Sequence, residues 1–309
     1  MIKKSTVLPF LVASLFATGA QAEDVSPVDM FVSADLGYIH YSPNGGKSDS
    51  DATYNLRASA AYQDPSHFGG QVDALYNHYD IGQNAASTVD LAGHLFYRNE
   101  QFLIGGFVQY RNPSMSTNFH HSGNPSLDWS ASMVANFLKQ EMVSEQVFWG
   151  AEGQAYFGDV TVSGQLAKQE FVNQTDVSFG NVLKDGYVAN IKAKYFINDN
   201  WKVDAGFNYN KTDLNLNGGS FDQKTYSLGT EYRLAEHPVS LYAQYNHTTL
   251  GGSTGYNGDD DQLLVGVKLN FGANSLKARD RSGASLDPVT QQPAGALTLG
   301  NLLNSSGPI

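Results

Sequence analysis

Three groups of residues in this 309-residue chain could do chemistry. His78 stands two residues before Asp80 in "NHYD", and His247 in "YNHTTLGGS" is followed by Thr248, Thr249 and Ser253. A hydroxyl, an imidazole and a carboxylate held together make an activated nucleophile for acyl transfer. Neither spacing is diagnostic, and polar histidines at loop ends are far commoner than catalytic ones. In "YNGDDDQ", Asp259, Asp260 and Asp261 could hold a divalent cation against a lipopolysaccharide phosphate, the plainer reading being a loop tip in water. No metal-ligand spacing, phosphate loop or nucleotide motif occurs elsewhere, so neither a cofactor nor a resident metal is expected. The third group is larger. Charged residues recur on the polar side of alternating segments: Asp35, Arg57, Asp73, Asp90, Arg98, Arg111 and Glu152 in the first half, then Lys192, Lys194, Lys202, Asp204, Glu231, Arg233 and Lys268. Such a face can select ions in a channel, or its charges can cancel in a filled interior.

The segments that carry them decide between these uses. The N-terminus, "MIKKSTVLPFLVASLFATGAQAED", has two lysines, a short apolar run and an A-x-A site at residues 20–22, the pattern of a secretory signal peptide over residues 1–22. Removing it takes away Lys3 and Lys4, leaving 17 basic and 30 acidic side chains, a net of −13. Nucleic acid is therefore not an expected partner. The chain has no cysteine, so an exported fold must hold together without disulfides.

Period-2 alternation recurs twelve times between residues 31 and 271. In "FVSADLGYIHY" Val32, Ala34, Leu36 and Tyr38 share one face, and in "TYNLRASAAYQ" Tyr54, Leu56, Ala58, Ala60 and Tyr62 do. Short links such as "QDPSH", "NE", "GD" and "NDN" alternate with long ones rich in Gly, Asn and Asp. The apolar face also carries aromatics at both strand ends. Tyr38, Tyr54, Tyr110, Trp149, Tyr209 and Tyr245 stand near the long links, with Tyr62, Tyr97, Phe102, Phe157, Tyr195, Trp201, Tyr232 and Phe271 near the short ones. Two aromatic girdles around an aliphatic band, on an even number of strands, describe a closed antiparallel transmembrane β-barrel.

Residues 112–146 fit less simply. "DWSASMVANF" alternates, but a spanning strand there would reverse the sidedness of every later link, so the segment reads as a long external loop holding a hairpin or helix. A fourteen-strand version stays open if it supplies two strands. Twelve strands enclose a space wider than the filled eight-stranded barrels and narrower than large porins. Eight of the fourteen inward charges are basic and six acidic, which favours a narrow, mildly basic channel for small anionic or zwitterionic solutes, with an ion-paired filled interior as the alternative.

The twelve-strand pattern, the leader, and the phrases "WGAEGQAYFGDVTVSGQ" and "SLKARDRSGASLDP" resemble the porin-like outer-membrane β-barrel proteins of Gram-negative bacteria. The resemblance implies outer-membrane location, contact with outer-membrane lipid and lipopolysaccharide, passage through the barrel-insertion machinery, and passive permeation of small hydrophilic solutes. The chain departs from that pattern at its end, where Phe271 closes the last strand but is followed by 38 residues. Alternative functions are a non-conducting barrel acting through its external loops and an outer-membrane lipid hydrolase. Residues 23–30 read as a short periplasmic segment. Residues 272–309, polar and broken by Gly283, Pro288, Pro293 and Pro308, read as a largely flexible periplasmic tail, with a tether through Arg279 and Arg281 or a plug as alternatives.

Overall fold

The computed structural model describes residues 28–43, 48–81, 84–116, 144–172, 183–214, 219–252 and 257–289. The expected signal peptide, most of the irregular segment and the last twenty residues lie outside them. Twelve strands form: β1 (Val28–Pro43), β2 (Asp49–Gln63), β3 (Phe68–Ile81), β4 (Asn84–Arg98), β5 (Phe102–Ser116) and β6 (Glu145–Phe157). Then follow β7 (Val160–Val172), β8 (Leu183–Asn198), β9 (Trp201–Leu214), β10 (Ser220–Arg233), β11 (Val239–Gly252) and β12 (Gly258–Phe271). One helix, α1 (Leu276–Ser282), comes after them.

Each strand pairs antiparallel with its sequence neighbours, and β1 pairs with β12 to close the barrel, with Met30 opposite Phe271 and Pro43 opposite Gly258. Closure leaves no open edge, which hydrocarbon requires and which makes a disulfide unnecessary. β1 starts at Val28, three residues before the expected boundary. The acidic run 259–261 also lies inside β12 and not at a loop tip, so Asp260 is buried while its two neighbours face the other way. Alternate faces separate these carboxylates, which removes the shared cation site suggested by their adjacency in sequence.

The short links are built by local side-chain bonds. Asn99 Oδ1 accepts from the backbone N–H groups of Gln101 and Phe102, both at 2.9 Å, and Asn198 Oδ1 accepts from that of Asn200 at 2.9 Å. Gly158, at φ 58°, makes the two-residue turn into β7 in a backbone region that favours glycine. Strands of 13 to 16 residues exceed the roughly 9–11 that cross a bilayer. The excess shortens several of the links read from sequence as long.

Outside, Leu36, Leu91, Leu95, Ile104, Leu166, Leu228 and Val265 are exposed in a continuous band. The girdle aromatics flank it on the same face. Tyr38, Tyr54, Trp149 and Tyr245 are exposed toward the long-loop rim, and Tyr62, Phe102, Phe157, Tyr195, Trp201 and Tyr232 toward the short-turn rim. Tyr97, Tyr110, Tyr209 and Phe271 share that face but are half-buried by neighbours: Tyr97 packs against Phe68 and Phe102, and Tyr209 against Tyr187. So large an apolar surface needs hydrocarbon around it.

The inner face of one wall is unexpectedly apolar. Phe96 of β4, Leu103 and Phe107 of β5, Phe148 and Tyr156 of β6, and Val188 and Phe196 of β8 are all buried. Close packing is met at Gly150 of β6, where an added Cβ would collide with the Leu166 carbonyl oxygen of β7. Gly150→Ala is expected to lower barrel stability by about 1–3 kcal/mol through overpacking. Urea unfolding in detergent, followed by gel mobility of heated and unheated samples, measures it; unchanged stability would mean that the β6–β7 spacing relaxes freely.

Candidate functional site: the lumen and the tail inside it

The tail does not hang free. The expectation of flexibility is corrected for residues 272–289, which turn back after β12 and enter the barrel. Gly272, at φ 109°, makes the reversal against the Val28 carbonyl oxygen, where a side chain would be both strained and crowded. Asp29 then clips both ends of the turn and helix: its carboxylate accepts from the backbone N–H of Ala273 at 2.9 Å and of Ala284 at 2.8 Å. Ser275 caps α1 by accepting from the Ala278 N–H at 3.0 Å, and Arg279 and Arg281 sit in the last turn, where the helix dipole favours cations.

These two arginines, which the sequence offered only as an alternative tether to something outside, bind the barrel itself. Arg279 donates to Glu231 Oε1 at 2.8 Å and to Asn270 Oδ1, with its guanidinium 5.2 Å over the Phe31 ring. Arg281 donates to the carbonyl oxygens of Gly158 and Val160 at 2.9 and 3.1 Å. Lys277 pairs with Asp159 at 2.7 Å. The helix therefore closes part of the short-turn rim.

Beyond Gly283 the chain climbs the inner wall of β2–β8 in extended form. Its apolar side chains meet the apolar inner residues: Ala284 packs with Phe31 and Ala61, Leu286 with Phe96, Leu103 and Tyr156, and Val289 with Phe107, Phe148, Ala167 and Val188. Val289 is 1% exposed. Its backbone is gripped by carboxamides that sequence reading did not single out. Gln71 donates to the Leu286 carbonyl oxygen at 2.7 Å and accepts from its N–H at 3.1 Å. Gln109 does the same for Val289, at 3.0 and 2.7 Å. Gln154 and Gln165 donate to the carbonyl oxygens of Ser285 and Asp287 at 3.1 and 2.6 Å. Each pair copies the two bonds that a neighbouring strand would make.

All fourteen charged residues assigned to the interior do face it, but they do not form free rings. On the tail's side Arg57 pairs with Asp73 at 2.9 Å, Arg111 with Asp90 at 2.8 Å, and the buried His94 ring contacts Glu152 at 2.8 Å and Asp73 at 3.4 Å. On the other side Lys202 pairs with Asp204 at 3.0 Å, and Lys268 with Glu231 at 2.9 Å. Asp35 accepts from Asn55 at 2.6 Å and from Tyr242 at 2.7 Å, while Arg233 donates to the Ala273 carbonyl oxygen. Three cations instead find their partners in the tail. Lys192 bonds Asp287 at 2.7 Å, Lys194 bonds Asp280 at 2.8 Å, and Arg98 donates to the Gly283 carbonyl oxygen at 3.0 Å and to Ser285 Oγ at 2.8 Å. The lumen, expected as a narrow channel with a tail plug as one alternative, is partly filled by the tail. A cavity of about 270 Å³ remains beside the tail, lined from Leu276 and Arg279 near the short-turn rim to Asn246 and Gln262 farther up.

The two histidine motifs lie on the outside at the long-loop rim. His78 contacts Ser87 Oγ at 2.8 Å and Asp80 at 3.1 Å, and stacks on Tyr54. His247 contacts Asp261 at 2.9 Å; Ser253 lies outside the described residues. A hydroxyl does meet an imidazole and a carboxylate at His78. Ser87, however, is paired with His78 of β3 and Ser114 of β5, so the surrounding backbone N–H groups are engaged in the sheet ladder and not turned toward an oxyanion.

No protein-family model matches the chain, and no curated protein matches it. Among solved structures, an outer membrane channel from Pseudomonas putida F1 is similar at 13% identity and a TM-score of 0.56, over 81% of this chain and 99% of that one. The translocator domain of the autotransporter NalP from Neisseria meningitidis is similar at 12% identity and a TM-score of 0.46, over 85% and 93%. The first likeness is one of fold.

Burial would push the Asp287 carboxyl up, but the charges of Lys192, Arg57 and Lys194 outweigh it and hold it well below the usual carboxylate range. Asp280 is also held down: burial opposes, and Lys194 with the Thr161 hydroxyl prevails. The cations facing these carboxylates are Arg57 from β2 and Lys192 and Lys194 from β8. A carboxyl depressed in the docked state favours docking at all pH above its free value of 3.8 and loses that contribution as pH falls through the lower docked value. A spin label on Ser282→Cys, in a chain otherwise free of cysteine, should stay immobilised from neutrality down to 3.8 and gain mobility only below it. Mobility gained near pH ~6 would assign control of docking to a histidine instead.

Proposed function

We propose that the chain is an outer-membrane channel for passive diffusion of small hydrophilic solutes, exported by its leader and resting with its periplasmic tail docked in the lumen. The observation that carries this reading is the cavity of about 270 Å³ running alongside the tail, lined by charged and polar groups among apolar ones, inside a barrel whose outside is apolar. Its wall charges are paired near the short-turn rim, and carboxamides and hydroxyls such as Asn190, Asn208, Ser227 and Gln244 line the rest. Such a wall passes hydrated solutes without holding them, while the lysines on β8 bias it toward anionic or zwitterionic ones.

Planar-bilayer recording tests the proposal. The full chain is expected to show small, infrequent conductance steps, and a chain lacking residues 275–309 several-fold larger ones, provided gel mobility first shows that it has folded. Lys192→Gln with Lys194→Gln should move the reversal potential toward cations, because the lumen then loses two positive charges while Asp280 and Asp287 keep theirs. Folded protein that conducts in neither the full nor the shortened form overturns the channel.

A further inference from the structure

The inner wall holds residues 283–289 as a receptor holds a peptide. The backbone is bound at four residues by four carboxamides, two of them bonding N–H and C=O of one residue together. The Leu286 side chain fills an apolar pocket of Phe96, Leu103 and Tyr156. The Asp287 carboxylate sits in a clamp, one oxygen accepting from Arg57 Nη1 at 2.8 Å and the other from Lys192 Nζ at 2.7 Å. Arg57 is already oriented by two bonds to Asp73, of 3.2 and 2.9 Å, so this edge of its guanidinium is fixed before any visitor arrives. Backbone, the apolar side chains of Leu286 and Val289, and one carboxylate are each recognised separately, and nothing in that recognition depends on the covalent link to β12.

Resting on the channel reading, we infer that this wall is a binding site for short, extended acidic peptides, and that the tail is a tethered competitor for it. A solute of this class satisfies the same glutamines and the same clamp when the tail leaves. A small carboxylate alone reaches only the clamp, and a neutral peptide only the glutamines. The cations explain why the site does not stay empty. Lys192 and Lys194 have no carboxylate partner on the barrel wall among the described residues, so either the tail or an acidic visitor must supply one. The tail has the advantage of its attachment, equivalent to millimolar local concentration for a short link. Entry of solute is therefore conditional on acidic peptide at comparable concentration.

The test uses the full chain, with Ser282→Cys spin-labelled as a reporter of tail position and bilayer conductance as a separate readout. The probe is the blocked pentapeptide Ser-Leu-Asp-Pro-Val, the sequence of residues 285–289. Its controls are the same peptide with Asn for Asp, and succinate. Since one charged hydrogen-bonded contact is worth about tenfold or more in occupancy, Asp287→Asn in the chain should lower the peptide concentration that frees the label by about tenfold. The Asn peptide should be weaker by a similar factor. Label mobilised by the acidic peptide and not by the controls, with conductance rising in parallel, is the expected result. Mobilisation without conductance in any variant keeps the peptide site and overturns the channel. An acidic peptide that leaves the label immobile even in the Asp287→Asn chain overturns the site, and so does equal mobilisation by the Asn peptide or by succinate.

Discussion

A buried cation must have an anion beside it, and most of the interior of this barrel follows from that requirement. Bulk water hardly reaches Lys194, which is 6% exposed. On much of the wall the partner comes from the adjacent strand, as with Arg111 and Asp90 or Arg57 and Asp73, or from the next strand but one, as with Lys268 and Glu231. At Lys192 and Lys194 of β8 it comes from the tail. Docking and charge compensation are thus one event: removing Asp280 and Asp287 would leave two ammonium groups to be hydrated by a widened lumen.

The same reciprocity holds in the apolar part of the contact. Phe107 and Phe148 point inward, where a plain water-filled pore would have no use for them, and they are covered by Val289. Leu286 and Leu276 are buried by the barrel although their own segment is too short and too polar to form a core. Burying each such side chain contributes about 1.5–3 kcal/mol. The directional bonds from Gln71 and Gln109 then fix which residue lies where, since an extended chain shifted by one would present its N–H and C=O to the opposite side.

The strands, their two faces and the even count were legible because period 2 is a strong local signal and closure follows from it. Each inward charge was legible for the same reason. What each charge meets was not, because pairing across the lumen depends on which strands stand opposite and on a segment with no periodicity of its own. The tail looked flexible since Gly283, Pro288 and the surrounding polar residues argue against helix and strand, and the segment is indeed neither beyond Ser282. It is ordered by the wall. Two clues were present in the sequence. Leu103, Phe107, Phe148 and Tyr156 interrupt the polar face on neighbouring strands, and the fourteen inward charges carry two more basic than acidic groups. The lysines that end on Asp280 and Asp287 account for an imbalance of that size.

The distribution of these features around the barrel also explains why the tail fills only one side. The wall from β9 to β12 meets its charges internally, through Lys202 with Asp204 and Lys268 with Glu231, and presents Asn208, Ser227, Gln244 and Asn246 above them. Such a wall takes Arg279 from the tail, at Glu231, and above that contact its carboxamides and hydroxyls face the cavity. The wall from β4 to β8 has both lysines that pair with the tail and apolar surface. One barrel thereby holds two unlike surfaces facing each other, a polar one along the cavity and one whose lysines and aromatic rings are covered by the tail that follows the seven-residue helix at the rim.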